Sequence, residues 1–283
     1  LCPQCNFTEL LLGDYRPKVN IFDALQPMIL GSAFGDTPED LSYRVSQYCD
    51  EFKGGKLAQV IAGSPELFAF PSMLYQALNQ AHAGKNKVAV GRLLHGLKTV
   101  LERERAISKC ERIVLDTSPF YAGGTHLAWC AVDALIVPVR VDEHSVESLE
   151  LLLRMLSEPG RDFQTWNERA GGLPTPKIAA VVMTMVGSKS QVEATPDSAS
   201  RMYIERAISI AQSYAPLFSH EDPSDAFVIT DDFHSAGRIS GAKRIPITEL
   251  PIRKFYNVEG RRLQVNASAK RYKSQLRYLA SMI

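Results

Sequence analysis

An aspartate followed by a tight turn offers the clearest chemistry in this 283-residue chain. The apolar run Ile113 to Leu115 ends at Asp116, and the chain then breaks into Thr117, Ser118 and Pro119. A carboxylate at the end of a buried strand can hold Mg²⁺, commonly through a water molecule, and nucleotide hydrolases place the metal in this way. A strand-end aspartate is also a common helix cap, so the metal role and the capping role both stay open here.

Two cysteines near the beginning, Cys2 and Cys5, form the sequence CPQC, which suggests a zinc site or a reactive dithiol. A structural zinc site needs a second pair of ligands, whereas Cys49, Cys110 and Cys130 each stand alone. An odd number of cysteines at low density indicates reduced thiols rather than a disulfide framework. The pattern therefore favours a structural role, with Cys5 filling a small, partly buried position.

These residues must be positioned by alternating short apolar runs and helical stretches, a pattern typical of a mostly parallel sheet flanked by helices. The apolar runs predict strands at residues 57–62, 112–116, 134–139, 177–185 and 226–229. The periodicity predicts helices at residues 88–109, 145–156, 201–217 and 267–283. Polar stretches at 158–175 and 188–200 are interpreted as surface excursions. We interpret His126 and His144 as solvated loop or helix-start residues, and Trp129 as a core residue.

Three sequence blocks, in order, resemble those of the ParA/MinD family of partition ATPases, which are P-loop NTPases with an α/β fold. The opening LCPQCNFTELLLG resembles the family segment after the second strand, through Pro3, Gln4, Asn6 and Thr8. The second block is Asp116, Thr117 and Pro119, and the third is Val137, Pro138 and Val139 before a helix that begins near Ser145. Weaker similarity covers VVMTMV, which contains Thr184 and Met185, and the late stretch AGRISGAKRIPITEL, which contains Pro246.

The resemblance implies specific roles for these residues and a set of partners. Asp116 becomes the carboxylate that holds Mg²⁺ through water. ATP would be contacted by residues of the matching blocks, namely Pro3, Gln4, Asn6, Thr8, Thr117, Pro119, Thr184, Met185 and Pro246. The family also implies a homodimer that forms on ATP binding, and a ParB-like partner that stimulates hydrolysis.

Two departures from the family pattern bear on activity. A Gly-rich loop with lysines, whose backbone N–H groups cradle phosphates, does not occur in these residues. We therefore expect an N-terminally truncated sequence, without the first strand and the phosphate loop. The acidic residue that the family places just before Pro3, linked to positioning the attacking water, is Cys2 here. A catalytically degenerate scaffold of the same fold, which binds DNA or protein, is thus an alternative to an ATPase.

The last fifty residues are strongly basic. Residues 234–283 hold four lysines and seven arginines against two glutamates, whereas the rest of the chain has more acidic than basic side chains. Such asymmetry indicates a polyanionic partner. The resemblance implies nonspecific DNA binding, for which the candidate residues are Arg238, Lys243, Arg244, Arg261, Arg262, Lys270, Arg271, Lys273 and Arg277. A basic amphipathic helix at 267–283 also fits a MinD-like membrane ATPase, but the Pro3-Gln4-x-Asn6 block favours the partition branch.

Length and composition set the remaining expectations. With 45% hydrophobic residues the chain can bury a substantial core, and we expect one domain over residues 1–283. No apolar run approaches the roughly 18 residues that span a bilayer, and the start lacks the order of a signal peptide. We therefore expect a cytoplasmic, nucleoid-associated protein.

Overall fold

The computed structural model describes residues 1–55, 57–187 and 195–282. By its contacts the chain divides into two compact units, which are considered separately. Unit 1 comprises residues 1–132 and 162–175, and unit 2 comprises residues 133–161 and 176–283. Part of the predicted surface excursion at 188–200, and Ile283 in the predicted last helix, lie outside the described residues. The prediction of one domain stays a prediction.

Helices and short strands alternate through the described part of the chain. The α-helices are α1 (Asn6–Leu12), α2 (Ile21–Leu30), α3 (Phe70–Ala83), α4 (Lys87–Leu94), α5 (Gly96–Ser108), α6 (Gly124–Ala131), α7 (Glu143–Ser157), α8 (Asp162–Arg169), α9 (Ser198–Gln212), α10 (His234–Lys243) and α11 (Ala269–Ser281). The strands are β1 (Ser42–Arg44), β2 (Gln59–Ile61), β3 (Ala134–Arg140), β4 (Lys177–Val186), β5 (Phe227–Asp231), β6 (Phe255–Val258) and β7 (Arg261–Gln264).

Side-chain caps explain where several helices begin. Asn20 caps α2, and Asp23 completes a capping box by accepting from the Asn20 N–H at 2.9 Å. Asp142 caps α7 by accepting from the Ser145 N–H at 2.9 Å. Asp197 caps α9 in the same way through the Ser200 N–H at 2.7 Å. The sequence predicted α7 and α9, with shifted ends, but did not predict α2.

The helix predicted at 88–109 is two helices, because the chain turns at His95 between α4 and α5. Gly96 is buried at this turn, and a Cβ there would lie 4.0 Å from the side chain of Met28 in α2. The periodicity alone carried no sign of the break, since apolar residues continue on both sides of it.

Unit 2 contains the parallel sheet, with strand order β3-β4-β5. Val137 lies opposite Val181, which in turn lies opposite Phe227, so the predicted strands at 134–139, 177–185 and 226–229 are confirmed. Leu279 and Met282, at the end of the chain, pack against a cluster of buried sheet residues formed by Ala180, Val182 and Val228. The α/β class with a parallel sheet flanked by helices is confirmed.

The strand predicted at residues 112–116 is wrong. The segment joins no sheet within the described residues, and Val114 is 70% exposed. A strand requires a neighbouring strand for its backbone groups, and none of those described pairs with this segment. The apolar pattern of the run predicted burial, which this structure does not provide.

Within the parts of the chain that the structure covers, no helix has both the length and the apolar character needed to cross a bilayer. The predicted C-terminal helix is confirmed as α11, although the structure begins it at Ala269 and ends it at Ser281.

Candidate functional site

The first matching block forms a tight turn that leads into α1. The Cys5 N–H donates to the Cys2 carbonyl at 3.1 Å, and Cys5 has a left-handed backbone with φ 56°. Both thiols are free and half-buried, and burial is the main cause that raises the pKa of the Cys5 thiol. Gln4 and Asn6 are exposed, and the Asn6 amide donates to the Gln4 side-chain oxygen at 3.5 Å.

Thr8 differs from its exposed neighbours because it is buried and its hydroxyl forms a hydrogen bond within the fold. The Thr8 hydroxyl accepts from the Gly63 N–H at 2.8 Å, which ties α1 to the loop after β2. A Cβ at Gly63 would lie 3.3 Å from the Cys5 sulfur, so the glycine allows this close approach. Sequence reasoning did not single out Gly63, and its only signal was a Gly-Ser pair directly after a predicted strand.

The second matching block lies directly beside the first. The Leu1 nitrogen donates to the Asp116 carbonyl at 2.7 Å, and a Cβ at Gly124 would lie 3.3 Å from the Leu1 carbonyl oxygen. The Asp116 carboxylate is exposed and forms no hydrogen bond or ion pair with any described residue. Unit 1 thus brings the start of the first block next to Asp116, through Leu1.

The turn after Asp116 is fixed by hydrogen bonds and by one glycine. The Ser118 and Thr125 hydroxyls lie 3.1 Å apart, and the Thr125 hydroxyl also donates to the Ser118 carbonyl at 3.2 Å. Gly123 has φ 45°, and a Cβ there would lie 2.8 Å from Pro71, so only glycine fits. Thr117 is half-buried and Pro119 is exposed. Asp116 does not cap α6, which begins eight residues later at Gly124.

The helix that follows this turn is buried along nearly its whole length. His126 is fully buried, against our expectation of a solvated histidine, while Trp129 lies in the core as predicted. The Tyr75 hydroxyl lies 3.2 Å from His126 Nδ1, and the ring of Phe163 lies 5.9 Å from the imidazole. Burial lowers the pKa of His126 to about 4. This histidine therefore belongs to the core of unit 1, whereas His144 is exposed, as predicted.

The remaining predicted nucleotide contacts belong to unit 2. Thr184 and Met185 lie near the carboxyl end of β4, and the Thr184 hydroxyl donates to the Val139 carbonyl at 3.4 Å. Met185 has φ 58° and is 44% exposed, an uncommon backbone for a side chain of this size. Pro246 is half-buried directly before a short 3₁₀ turn, Ile247–Glu249.

The basic residues at the end of the chain surround one small core in unit 2. Residues of α10, the β6–β7 hairpin and α11 contribute to a single cluster that includes Ile239, Val258 and Tyr272. Of the predicted DNA contacts around it, Lys273 is half-buried, and those that are exposed are Arg238, Lys243, Arg261, Arg262, Lys270 and Arg277. The Arg262 guanidinium lies 4.2 Å above the ring of Phe255, an exposed aromatic residue.

Two of the predicted DNA contacts have structural roles. The Arg271 guanidinium forms an ion pair with the buried carboxylate of Asp231, so it is held within the fold. Arg244 ends α10 in a left-handed conformation, with φ 57°, and is half-buried. The sequence grouped both with the exposed cations because charge alone does not reveal a partner forty residues away.

A nucleotide and its metal fit part of this arrangement. The exposed, unpartnered Asp116 carboxylate suits Mg²⁺, which prefers oxygen ligands. Among the described residues no group of three or more His, Cys, Asp or Glu side chains could bind a metal by itself. A single aspartate that binds Mg²⁺ together with ATP phosphates does not need such a group.

Comparison with known proteins gives a match in structure alone. No protein-family model matches the sequence, and no curated protein matches it. Among solved structures, apo McdA from Cyanothece matches with a TM-score of 0.55 and 16% identity, covering 86% of this chain and 76% of that one. The ATP complex of a Cyanothece McdA variant matches with a TM-score of 0.58 and 14% identity, covering 99% and 82%. McdA is a ParA-like ATPase, and the chain therefore shares the ParA-like α/β fold.

Proposed function

We propose that this chain is a ParA-like ATPase that binds Mg-ATP and uses its hydrolysis to drive a positioning or partition process. One observation carries the proposal: Leu1, at the start of the first matching block, donates from its nitrogen to the carbonyl of Asp116 in the second, at 2.7 Å. These segments are the two most specific matches to the family, and they come from distant parts of the sequence. The ATP complex of a McdA variant with the same fold adds support for a nucleotide as the ligand.

In this proposal each exposed residue of the site has a task. Asp116 holds Mg²⁺ through a water molecule, since its carboxylate is free of protein partners among the described residues. Gln4 and Asn6, which already share a hydrogen bond, face the γ-phosphate or a second protomer. Bound ATP would supply the phosphoanhydride bond that is hydrolysed, and Mg²⁺ would neutralise the negative charge of its phosphates. Thr8 acts indirectly, by anchoring α1 to Gly63.

We further propose that the basic surface of unit 2 binds DNA without reading its sequence. Six of the predicted cations are exposed around one small core, and Phe255 adds an exposed aromatic ring next to Arg262. Phosphate contacts of this kind give affinity that falls steeply with salt concentration. ATP binding would favour the dimer and DNA retention, and a ParB-like partner would trigger hydrolysis and release.

The test measures retention of the protein on random-sequence DNA, with and without Mg-ATP. We expect retention that depends on ATP and that Asp116→Asn abolishes, because an amide is a poor Mg²⁺ ligand compared with a carboxylate. Asp36→Asn is the matched control, since Asp36 is an exposed aspartate in the same unit. Equal retention by the Asp116 variant and the wild type would contradict the proposal.

A second candidate is a scaffold of the same fold that binds DNA without ATP hydrolysis. Two observations favour it: a thiol, Cys2, replaces the acidic residue of the family, and the Thr8 hydroxyl already accepts a hydrogen bond from the Gly63 N–H. Retention on DNA that is unaffected by ATP, but is lost in the double variant Arg261→Glu/Arg262→Glu, would support the scaffold over the switch.

A further inference from the structure

Unit 1 contains a groove that the proposed nucleotide and DNA sites do not use. The groove has a volume of about 540 Å³ and is lined by side chains of α2, α4 and α5 and of the stretch after α8. Three of its lining residues are basic, namely Lys87, Arg92 and His95, and none is acidic. The rest of the lining is mainly apolar and includes Met28 and Leu173.

The basic side chains come from one short stretch of the chain. Lys87 and Arg92 lie on α4, and His95 directly follows its last residue. Lys87 and Arg92 are exposed, and within the described residues neither forms an ion pair. A row of cations beside apolar surface, with no carboxylate to neutralise it, is complementary to an anion.

Gly91 provides a second, independent observation. It lies in the middle of α4 and lines the groove. A Cβ at this position would lie 3.6 Å from the Ala170 carbonyl oxygen, which is an ordinary van der Waals contact. The backbone of Gly91 is not in the left-handed region, so alanine, the better helix former, would fit here. Folding therefore does not require glycine at this position, and only a side chain longer than alanine would fill this part of the groove.

We propose that this groove binds a small organic anion that carries a carboxylate, phosphate or sulfonate group on an apolar body. Lys87 and Arg92 hold the anionic group, and the apolar body packs against Met28, Val88 and Leu173. The volume lies in the range of pockets that take small ligands, and such pockets combine mostly apolar walls with a few polar groups. The proposal does not depend on ATP binding, because all its residues lie outside the blocks that match the ParA family.

The test compares two fluorescent probes that share an apolar body and differ in charge. Anilinonaphthalene sulfonate is anionic, and N-phenyl-1-naphthylamine is its neutral counterpart. In the double variant Lys87→Gln/Arg92→Gln we expect the sulfonate to bind about tenfold more weakly, because two charged donors are lost. The affinity of the neutral probe should change little. The matched control is Lys98→Gln/Arg105→Gln, which removes two cations of α5 that do not line the groove.

Equal sulfonate affinity in the groove variant and the control variant would overturn the proposal. An equal loss of both probes in the groove variant would also overturn it, because binding would then not depend on charge. A second pair of variants tests whether the probes occupy the groove. Gly91→Leu should fill part of it and weaken the binding of both probes, whereas Gly91→Ala should keep the helix and most of the binding. Circular dichroism of each variant establishes that the fold is intact, and unchanged binding in a folded Gly91→Leu variant would contradict the assignment.

Discussion

Two short apolar runs, each ending in aspartate, differ in this molecule: one is a buried strand and the other is exposed and unpaired. Residues 227–231 form β5, pair with β4, and bury Val228 to 2% exposure. Residues 112–116 have the same character but join no sheet among the described residues, and Val114 is 70% exposed. Intrinsic preference for the extended conformation is similar in the two runs, so the neighbouring strand determines which run becomes buried.

The terminal aspartates differ just as strongly. Asp231 is buried, forms an ion pair with Arg271, and accepts from the Gln275 amide at 3.1 Å. Asp116 is exposed, and its carboxylate forms no hydrogen bond or ion pair with the described residues. A strand-end aspartate can therefore stabilise the fold or remain free to bind a ligand. The lack of structural engagement at Asp116 supports a functional role for that residue.

The largest expected effect contrasts the same substitution in both runs. Val228→Asp places an unpaired carboxylate inside the sheet and should lower the free energy of unfolding by more than about 4 kcal/mol. Val114→Asp adds a charge to exposed surface and should change it by less than about 0.5 kcal/mol. Urea unfolding of both variants provides the measurement. A large loss in the Val114 variant would show that residues 112–116 are buried in solution.

The next effect concerns the aspartate of β5. Arg271→Met keeps much of the apolar length of the side chain but leaves the buried Asp231 carboxylate without its cation. Removing one partner of a buried ion pair is costly, so we expect a loss of about 3 kcal/mol. Lys270→Met, at an exposed neighbouring position, serves as the control in the same unfolding assay. Similar behaviour of the two variants would place Arg271 with the solvated cations.

The third prediction concerns the pH dependence of stability, which reports whether α6, the helix after Asp116, is closely packed. Burial lowers the pKa of His126 in α6 to about 4, below its ordinary value of about 6.5. Between these values the unfolded chain binds a proton that the folded chain does not, so stability falls as pH falls through this window. Between pH 7 and pH 4.5 this group should remove about 2 to 3 kcal/mol.

The measurement for this third effect is urea unfolding at both pH values for the wild type and for His126→Gln. The variant should lose less stability on acidification, because the group responsible is gone. Equal losses in the two proteins would indicate that the imidazole is accessible to solvent and that α6 is not closely packed around it.

Sequence patterns predicted the parts of the fold that depend on local chemistry. The runs that became β3, β4 and β5 were found because they are apolar, short and bounded by breaks, and α7 and α9 have aspartate caps beside a clear period. The hydrogen bond between Leu1 and Asp116 was not predicted, because the resemblance to a family gave roles for these segments and not contacts between them.

What could not be predicted depends on partners distant in sequence. His126 is buried because Tyr75 and Phe163 pack around it, and neither is near it in the chain. Arg271 is unavailable because of Asp231, which lies forty residues earlier. The exposure of residues 112–116 reflects the lack of a partner strand among the described residues, which the composition of the run itself cannot reveal.

The smallest expected change in stability is that of Asp116→Asn, and it allows an effect on function to be separated from an effect on folding. Asp116→Asn should change the free energy of unfolding by less than about 0.5 kcal/mol, because no described residue donates to or pairs with the carboxylate. The unfolding assay used for Arg271→Met provides the scale. With stability unchanged, any loss of ATP-dependent DNA retention in this variant must come from the site and not from the fold. A loss of stability comparable to that of Arg271→Met would instead make Asp116 a structural residue, like the aspartate that ends β5.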